Sequence, residues 1–317
     1  MISAQGISKR FGNFTAVDKV AFEVGKGEIL GFIGPNGAGK TTTMRMLTGF
    51  LPASEGRAVV AGHDVFEEPM EVRRKVGYLP ERPPLYVELS IGAYLSFVAE
   101  IRGIPRSKRT RRIGEVMEQV GLVGWEHRIL GSLSKGYRQR VGLAQAVIHD
   151  PEVLILDEPT SGLDPGQVAG IRSFVRGLAE DRTVILSTHI LPEVERLCER
   201  VVIIANGKVA ADDDLVSLKN RVGRGVRFLV ELKGSSEAGA RIPQLVGALN
   251  GVDQVKPLGD EAGVVTDGFT RLEVRAPTDP RTAIARLATE QGFVVRAMER
   301  HEPSLEEAFL AVVGAES

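Results

Sequence analysis

Apolar residues in this chain fall into short runs bounded by glycine- and proline-rich turns, with stretches of helical period between them. Ile2 to Ser8, Phe14 to Val24 and Glu28 to Ile33 read as strands, divided by turns at Gly12-Asn13 and Gly25-Lys26-Gly27. Ile29, Leu30, Phe32 and Ile33 are continuous enough for a strand buried on both faces. After a glycine-rich loop, Thr42 to Leu47 restores helix formers, with Met44 and Leu47 on one side. Arg57 to Ala61 and Val76 to Leu79 read as further strands, and Pro80-Glu81-Arg82-Pro83-Pro84 forces an extended exit from the second. Leu85 to Leu130 turns helical. A further helix opens at Leu133-Ser-Lys-Gly136-Tyr, with Tyr137, Val141, Ala144 and Ile148 on one face, and Pro151 ends that segment. Val153 to Leu156, Thr183 to Leu186 and Val201 to Ile204 are fully apolar strands, the last closed by the hairpin signal Asn206-Gly207.

The pattern changes between Asp212-Asp-Asp214 and Gly225. Beyond it the order is strand (Val226–Leu232), helix (Ile242–Leu249), strand (Val252–Lys256), strand (Phe269–Val274), helix (Thr282–Glu290), strand (Phe293–Met298). A last helix, Ser304–Val313, follows Pro303. This βαββαβ order predicts a small ferredoxin-like α+β domain over 216–317, set after an α/β domain over 1–215 whose helical subdomain covers about 85–150. No polar cluster suited to catalysis falls in the second domain, so it reads as regulatory or as an interaction module.

Composition adds bounds. With 317 residues, 43% of them hydrophobic, the chain can bury the cores of two domains. Forty basic against 41 acidic residues leave a net charge of −1, so nothing global points to nucleic acid. Cys198 stands alone, which excludes an internal disulfide or a cysteine cluster for zinc and fits a reducing compartment. No apolar run of about 18 residues is present, and the N-terminus lacks a signal-peptide core. The expectation is a chain that would need a partner to span a membrane. Lys108, Arg109, Arg111 and Arg112 form the densest basic run, without interleaved aromatics, and read as a solvated helix face.

The chemistry sits at strand ends. Gly34-Pro35-Asn36-Gly37-Ala38-Gly39-Lys40-Thr41 fits G-x-x-x-x-G-K-[ST] between a buried strand and a helix, the context of a phosphate-binding loop. Its glycines let backbone N–H groups face a polyphosphate, and the helix adds its positive end. Lys40 brings a point charge toward the outer phosphates, and the Thr41 hydroxyl can ligate Mg²⁺. Asp157-Glu158 ends a buried strand, where α/β sheets place ligand chemistry, although Pro159-Thr-Ser-Gly162 also allows a turn or cap there. His189 ends another strand in the same way. Phe11, just before a turn, suits either ordinary core or the face of a purine. Ser134 is a good helix N-cap, a reading that could account for it alone.

Taken together, the phosphate loop, Glu81, Ser134–Arg140, Asp157-Glu158, Ser161-Gly-Leu-Asp164 and His189 resemble, in order and spacing, the ATP-binding subunit of an ABC transporter. The resemblance covers residues 1 to about 215. It implies a P-loop NTPase core with an antiparallel β subdomain and a helical subdomain, working with ATP and Mg²⁺. Residue by residue, it implies that Phe11 stacks on adenine and that Gly34 to Thr42 hold the phosphates. Asp157, Thr41 and Glu81 would attend Mg²⁺, Glu158 would be the general base, and His189 would contact the γ-phosphate. Ser134 and Gly136 would bind the ATP of a second copy, with Asp164 on the D-loop between the two. The implied partners are that second copy and an integral-membrane permease, at the cytoplasmic face of the plasma membrane, with no nucleic acid. Two departures stand out. The usual Leu-Ser-Gly-Gly-Gln is Leu133-Ser-Lys135-Gly-Tyr137 here, and the usual Q-loop glutamine is Glu81. Both variants, with the added C-terminal domain, resemble a bacterial subfamily of drug and polysaccharide exporters and gliding-motility components. The other readings are a soluble ABC-type ATPase uncoupled from transport, which usually carries two cassettes or a coiled coil, and a nucleotide sensor, which Glu158 and His189 argue against.

Overall fold

The first runs of apolar residues pair as β1 (Ile2–Phe11) and β2 (Phe14–Val24), antiparallel across a tight turn in which Gly12 takes φ +58°. The next run, β3 (Ile29–Ile33), enters a different sheet. In the computed structural model the described residues are 1–178, 181–222, 226–235, 239–258, 264–265, 268–301 and 304–314. Gly225 and Pro303, which marked the second domain in the sequence, lie outside them. Among the described residues the chain divides into two compact units, Met1–Leu215 with residues 312–314, and Val216–Ala311.

In the first unit, β4 (Glu55–Val60) pairs with the free side of β1, and β5 (His63–Asp64) extends it, giving an antiparallel sheet ordered β2-β1-β4-β5. The central sheet adds β6 (Val76–Leu79), β7 (Val153–Asp157), β8 (Thr183–Thr188), β9 (Arg200–Ala205) and β10 (Lys208–Asp214) in the order β10-β9-β3-β8-β7-β6. Its strands are parallel except β10. Every residue of β7 and β8 is buried, as continuous apolar strands in a covered parallel sheet require. One core joins the two sheets: Phe22 and Phe32 meet with ring centroids 5.4 Å apart, among Ile2, Ile7, Val60 and Met44. Met44 comes from α1 (Lys40–Leu47), and α2 (Pro69–Lys75) contributes Val72.

The helical stretch resolves into α3 (Ile91–Ile101), α4 (Arg106–Gln119) and α5 (Lys135–Val147). Ser90 caps α3 by accepting from the Ala93 N–H. The basic run on α4 is only partly a solvated face. Arg112 donates to the carbonyls of Val147 and Ile148, both at 2.8 Å, at the end of α5, and Arg109 donates to the Ile104 carbonyl and pairs with Glu100. A guanidinium there satisfies carbonyls that a helix end leaves open. Beyond β7 come α6 (Pro165–Leu178), whose Ile171, Phe174, Val175 and Leu178 have helical spacing that the sequence reading passed over, and the shorter α7 (Leu191–Leu197) and α8 (Leu215–Val222). Asp212–Asp214, where the sequence pattern begins to change, are the last residues of β10. Arg200 on β9 grips Asp212 at 2.8 and 2.7 Å, which lets acidic residues sit on a strand.

The second unit runs β11 (Val226–Lys233), α9 (Ile242–Gly247), β12 (Gln254–Leu258), β13 (Val264–Val265), β14 (Phe269–Ala276), α10 (Arg281–Gln291), β15 (Val294–His301) and α11 (Leu305–Gly314). The order β12-β14-β11-β15, all antiparallel with β13 beside β14, is that of a ferredoxin-like sheet. Phe228, Val230, Leu272 and Val274 pack against Ile242 and Val246 of α9 and Ile284 and Ala288 of α10.

Candidate functional site

The turn from β3 into α1 carries the glycine pattern for steric reasons. A Cβ on Gly34 would sit 2.3 Å from the Ile204 carbonyl, so the backbone of β9 excludes any side chain there. Gly39 takes φ +106° at the N-cap of α1, and a Cβ there would stand 2.7 Å from the Ala16 carbonyl, so only glycine is unstrained. A glycine cap offers no side-chain acceptor, so the first-turn N–H groups of α1 stay open to an anion. Lys40 is 6% exposed and folds back on the loop, donating to the carbonyls of Gly34 at 2.8 Å and Pro35 at 3.2 Å.

A cavity of about 590 Å³ opens over this loop. Asn36, Gly37, Gly39, Lys40, Thr41 and Thr42 line one side. Phe11 lines another, half-exposed, so the structure favours an available aromatic face over ordinary core. Phe14, its partner across the β1–β2 turn, lines the cavity too and went unnoticed in the sequence, although Phe11-Gly-Asn-Phe14 already spells a hairpin with two aromatics. Glu81, Glu158, Ser161 and His189 complete the wall. Gly34, Pro35 and Ala38 shape the loop from behind, Gly34 and Pro35 by accepting from Lys40. A second cavity, about 540 Å³ beside β4, contains the Arg57–Asp64 ion pair and none of these groups.

The acids at the end of β7 take different roles. Asp157 is fully buried: its Oδ1 accepts from the Ser187 hydroxyl at 2.5 Å, and its Oδ2 has no partner among the described residues. Tyr78 is pushed up to about 12 by burial and by the charge of Asp157, so its hydroxyl stays protonated. Glu158 is 7% exposed and takes φ +50°, a left-handed conformation uncommon for a side chain of that size. Its carboxylate lies 3.5 Å from Lys40 Nζ and 2.8 Å from His189 Nδ1. A buried carboxylate with two nitrogen donors has its position fixed, and the cavity gives it one open side. A carboxylate so held can orient a water and take its proton, next to a cation and a phosphate-binding turn.

Besides Gly34, Pro35, Ala38 and the buried Asp157, the expected residues Ser134, Gly136 and Asp164 do not line this cavity. Ser134 occupies the N-cap position of α5, but its exposed hydroxyl makes no capping hydrogen bond. Gly136 is buried beside Gln167, whose Oε1 lies 2.2 Å from where a Cβ would stand. Asp164 caps α6, its Oδ1 accepting from the Gln167 N–H at 2.9 Å. Lys135 stretches over Gly162, 2.6 Å from a Cβ position, with no carboxylate partner among the described residues. Tyr137 stacks on Trp125 with centroids 4.1 Å apart.

Comparison with known proteins bears on this constellation. A family profile described as ABC transporter matches residues 17–161. The chain is 35% identical to the uncharacterized ABC transporter ATP-binding protein YhcH of Bacillus subtilis (strain 168), over 87% of this chain and 90% of the relative. It is 34% identical to the bacitracin transport ATP-binding protein BcrA of Bacillus licheniformis, over 99% of this chain and 97% of the relative. Among solved structures, one described as the ATP-binding subunit of an ABC transporter superposes with a TM-score of 0.65 at 30% identity, covering 70% of this chain and 92% of that one.

Proposed function

The chain belongs to the ABC transporter ATP-binding family, and from that premise we propose that the cavity over Lys40 is where it binds and hydrolyses ATP to drive a separate membrane permease. The observation that carries the reading is Glu158, held between Lys40 and His189 at the mouth of a phosphate-binding turn. Phe11 and Phe14 offer aromatic faces for the adenine. The loop from Gly34 to Thr42 would cradle the phosphates through its N–H groups. Lys40 donates to the Gly34 and Pro35 carbonyls and lies in an ion pair with the Glu158 carboxylate, so phosphate must draw it off at least one of them. That exchange would free Glu158 to orient water in line with the terminal phosphorus and take its proton as the bond to the leaving phosphate breaks. His189 keeps the carboxylate in place from the other side.

Mg²⁺, which the family implies, fits the residues present. Asp157 Oδ2 is a buried oxygen without a partner among the described residues, and Thr41 and Glu81 line the cavity as hard oxygen donors. When bound it would neutralise phosphate charge. Among the described residues no helix is long and apolar enough to cross a membrane, so a permease would supply the span. Exposed Tyr86, Phe97 and Ile101 around α3 support a partner surface. The bacitracin transport protein BcrA among the relatives supports a role in transport, which we read as export at the cytoplasmic face of the plasma membrane. Glu158→Gln should bind ATP and lose at least ~10²-fold in turnover, the usual scale for a lost general base. Lys40→Ala should fail at binding, seen by titration calorimetry. Wild-type turnover by Glu158→Gln would remove that residue from the role.

A further inference from the structure

We propose that Ser187, at the end of β8, is a positioning residue that sets both acids of the site through a single hydroxyl. It rests on the reading that Asp157 attends the metal and Glu158 the water. Ser187 is fully buried. Its hydroxyl has one proton, which goes to Asp157 Oδ1 at 2.5 Å, and two lone pairs, one of which accepts the Glu158 N–H at 3.3 Å. The Ser187 carbonyl accepts the same N–H at 3.0 Å. One residue on the neighbouring strand therefore grips the Asp157–Glu158 segment from both ends, where β7 and β8 pair in parallel at Asp157 and Ser187.

Two consequences follow. With Oδ1 engaged, the Asp157 carboxylate cannot turn, and its Oδ2 is the oxygen left without a partner among the described residues. The bracket decides which oxygen faces a cation. Second, Glu158 is held at φ +50°, a conformation a non-glycine residue keeps only when its surroundings over-determine it. Anchoring its N–H at two acceptors supplies that restraint and aims the carboxylate toward Lys40 and His189. A plain strand residue at 187 would pack as well and keep the carbonyl bond to the Glu158 N–H, but it would lose the hydroxyl that fixes Asp157 and gives that N–H its second acceptor.

The test compares wild type, Ser187→Ala, Ser187→Thr and Asp157→Asn. ATP affinity is measured by calorimetry in EDTA and in Mg²⁺, and turnover across a Mg²⁺ titration. Ser187→Ala should keep its EDTA affinity within about twofold, while the Mg²⁺ concentration for half-maximal turnover rises about tenfold or more and kcat falls, as when a group behind a metal ligand is lost. Ser187→Thr, which keeps the hydroxyl, should restore wild-type behaviour to within about threefold. If alanine does not fold, Ser187→Cys keeps the volume with a much weaker donor and should show the same selective loss. An unchanged Mg²⁺ requirement and kcat in folded Ser187→Ala overturns the proposal, as does an equal loss of affinity with and without Mg²⁺. If Asp157→Asn also leaves the Mg²⁺ requirement unchanged, it is the underlying reading of the site that fails.

Discussion

His149 is partly buried against β6, its Nε2 3.1 Å from the Val76 carbonyl and its Nδ1 without a partner among the described residues. That pattern suits a neutral ring donating from Nε2. Burial, then the positive charge of Arg102, push its pKa from 6.5 down to about 4, with a lesser push from Arg112 and opposition from the Val76 carbonyl and Asp150. Unfolded, the ring gains a proton as pH falls through 6.5, whereas the folded ring does not until about 4. Stability is therefore full above pH 6.5 and is lost progressively toward pH 4, by on the order of 3 kcal/mol from this group. Urea midpoints for wild type and His149→Gln between pH 7.5 and 4.5 should diverge, the wild type falling more steeply. Parallel slopes would remove His149 from the acid sensitivity. Glu81 poses the other test at this scale. It is exposed and lines the nucleotide cavity as a carboxylate where relatives of this family usually carry glutamine. Its charge near ATP should make binding lean harder on Mg²⁺. Glu81→Gln should hydrolyse ATP with a shifted Mg²⁺ half-maximum, and superimposable titrations would reduce Glu81 to a loop residue. Sequence alone exposed Lys40, Asp157, Glu158 and His189, because each follows a buried strand in a recognisable string. It could not expose Ser187 as a bracket, since its bond to Asp157 spans two strands far apart along the chain.

Between elements, α5 approaches the edge of the central sheet at two glycines, Gly77 and Gly142. A Cβ on Gly77 of β6 would lie 2.2 Å from the Ala146 carbonyl of α5, and one on Gly142 of α5 would meet Leu79 at 2.6 Å and Pro83 at 2.7 Å. The same strand leads directly to Glu81, and the same helix begins beside Ser134. Gly77→Ala should cost about 1–3 kcal/mol or more, because a backbone carbonyl cannot move aside as a flexible side chain does. Urea unfolding measures it, and a loss below ~0.5 kcal/mol would mean that the helix slides freely on the strand. This interlock was invisible in the sequence, where Gly77 is one residue in a short strand and Gly142 one gap in an apolar helix face. The strands themselves were legible: Phe14–Val24 and Val76–Leu79 have the ends that alternation and breakers predict. Short helices such as α2 and α7 were not, since each has seven residues and owes its form to the core side of Val72 and Val194. The ferredoxin-like order could be read because strand and helix alternate cleanly there, while β13, two residues long, carries no periodicity at all.

At the scale of the whole molecule, we propose that one chain does not complete its own site. Ser134 and Gly136, suited to an anion at the start of α5, do not line the cavity that holds Lys40 and Glu158, and the Ser134 hydroxyl makes no capping bond. A second copy, facing the first, would bring its α5 to that cavity in a two-fold arrangement, so each dimer would have two identical composite sites. Complementation tests this directly. Lys40→Ala destroys the phosphate loop and leaves Ser134 intact, and Ser134→Arg blocks closure and leaves the loop intact. Each mutant alone should be inactive. In a mixed dimer one site combines both defects, and the other pairs an intact loop with an intact Ser134. Random mixing makes half the dimers mixed, with one good site of two, so activity should recover to about a quarter of wild type if the sites act independently. Strong coupling between sites would lower that figure without abolishing it. Activity no higher than the separate mutants, with mixed dimers demonstrated by differential tagging, would mean that Ser134 serves only the start of its own helix.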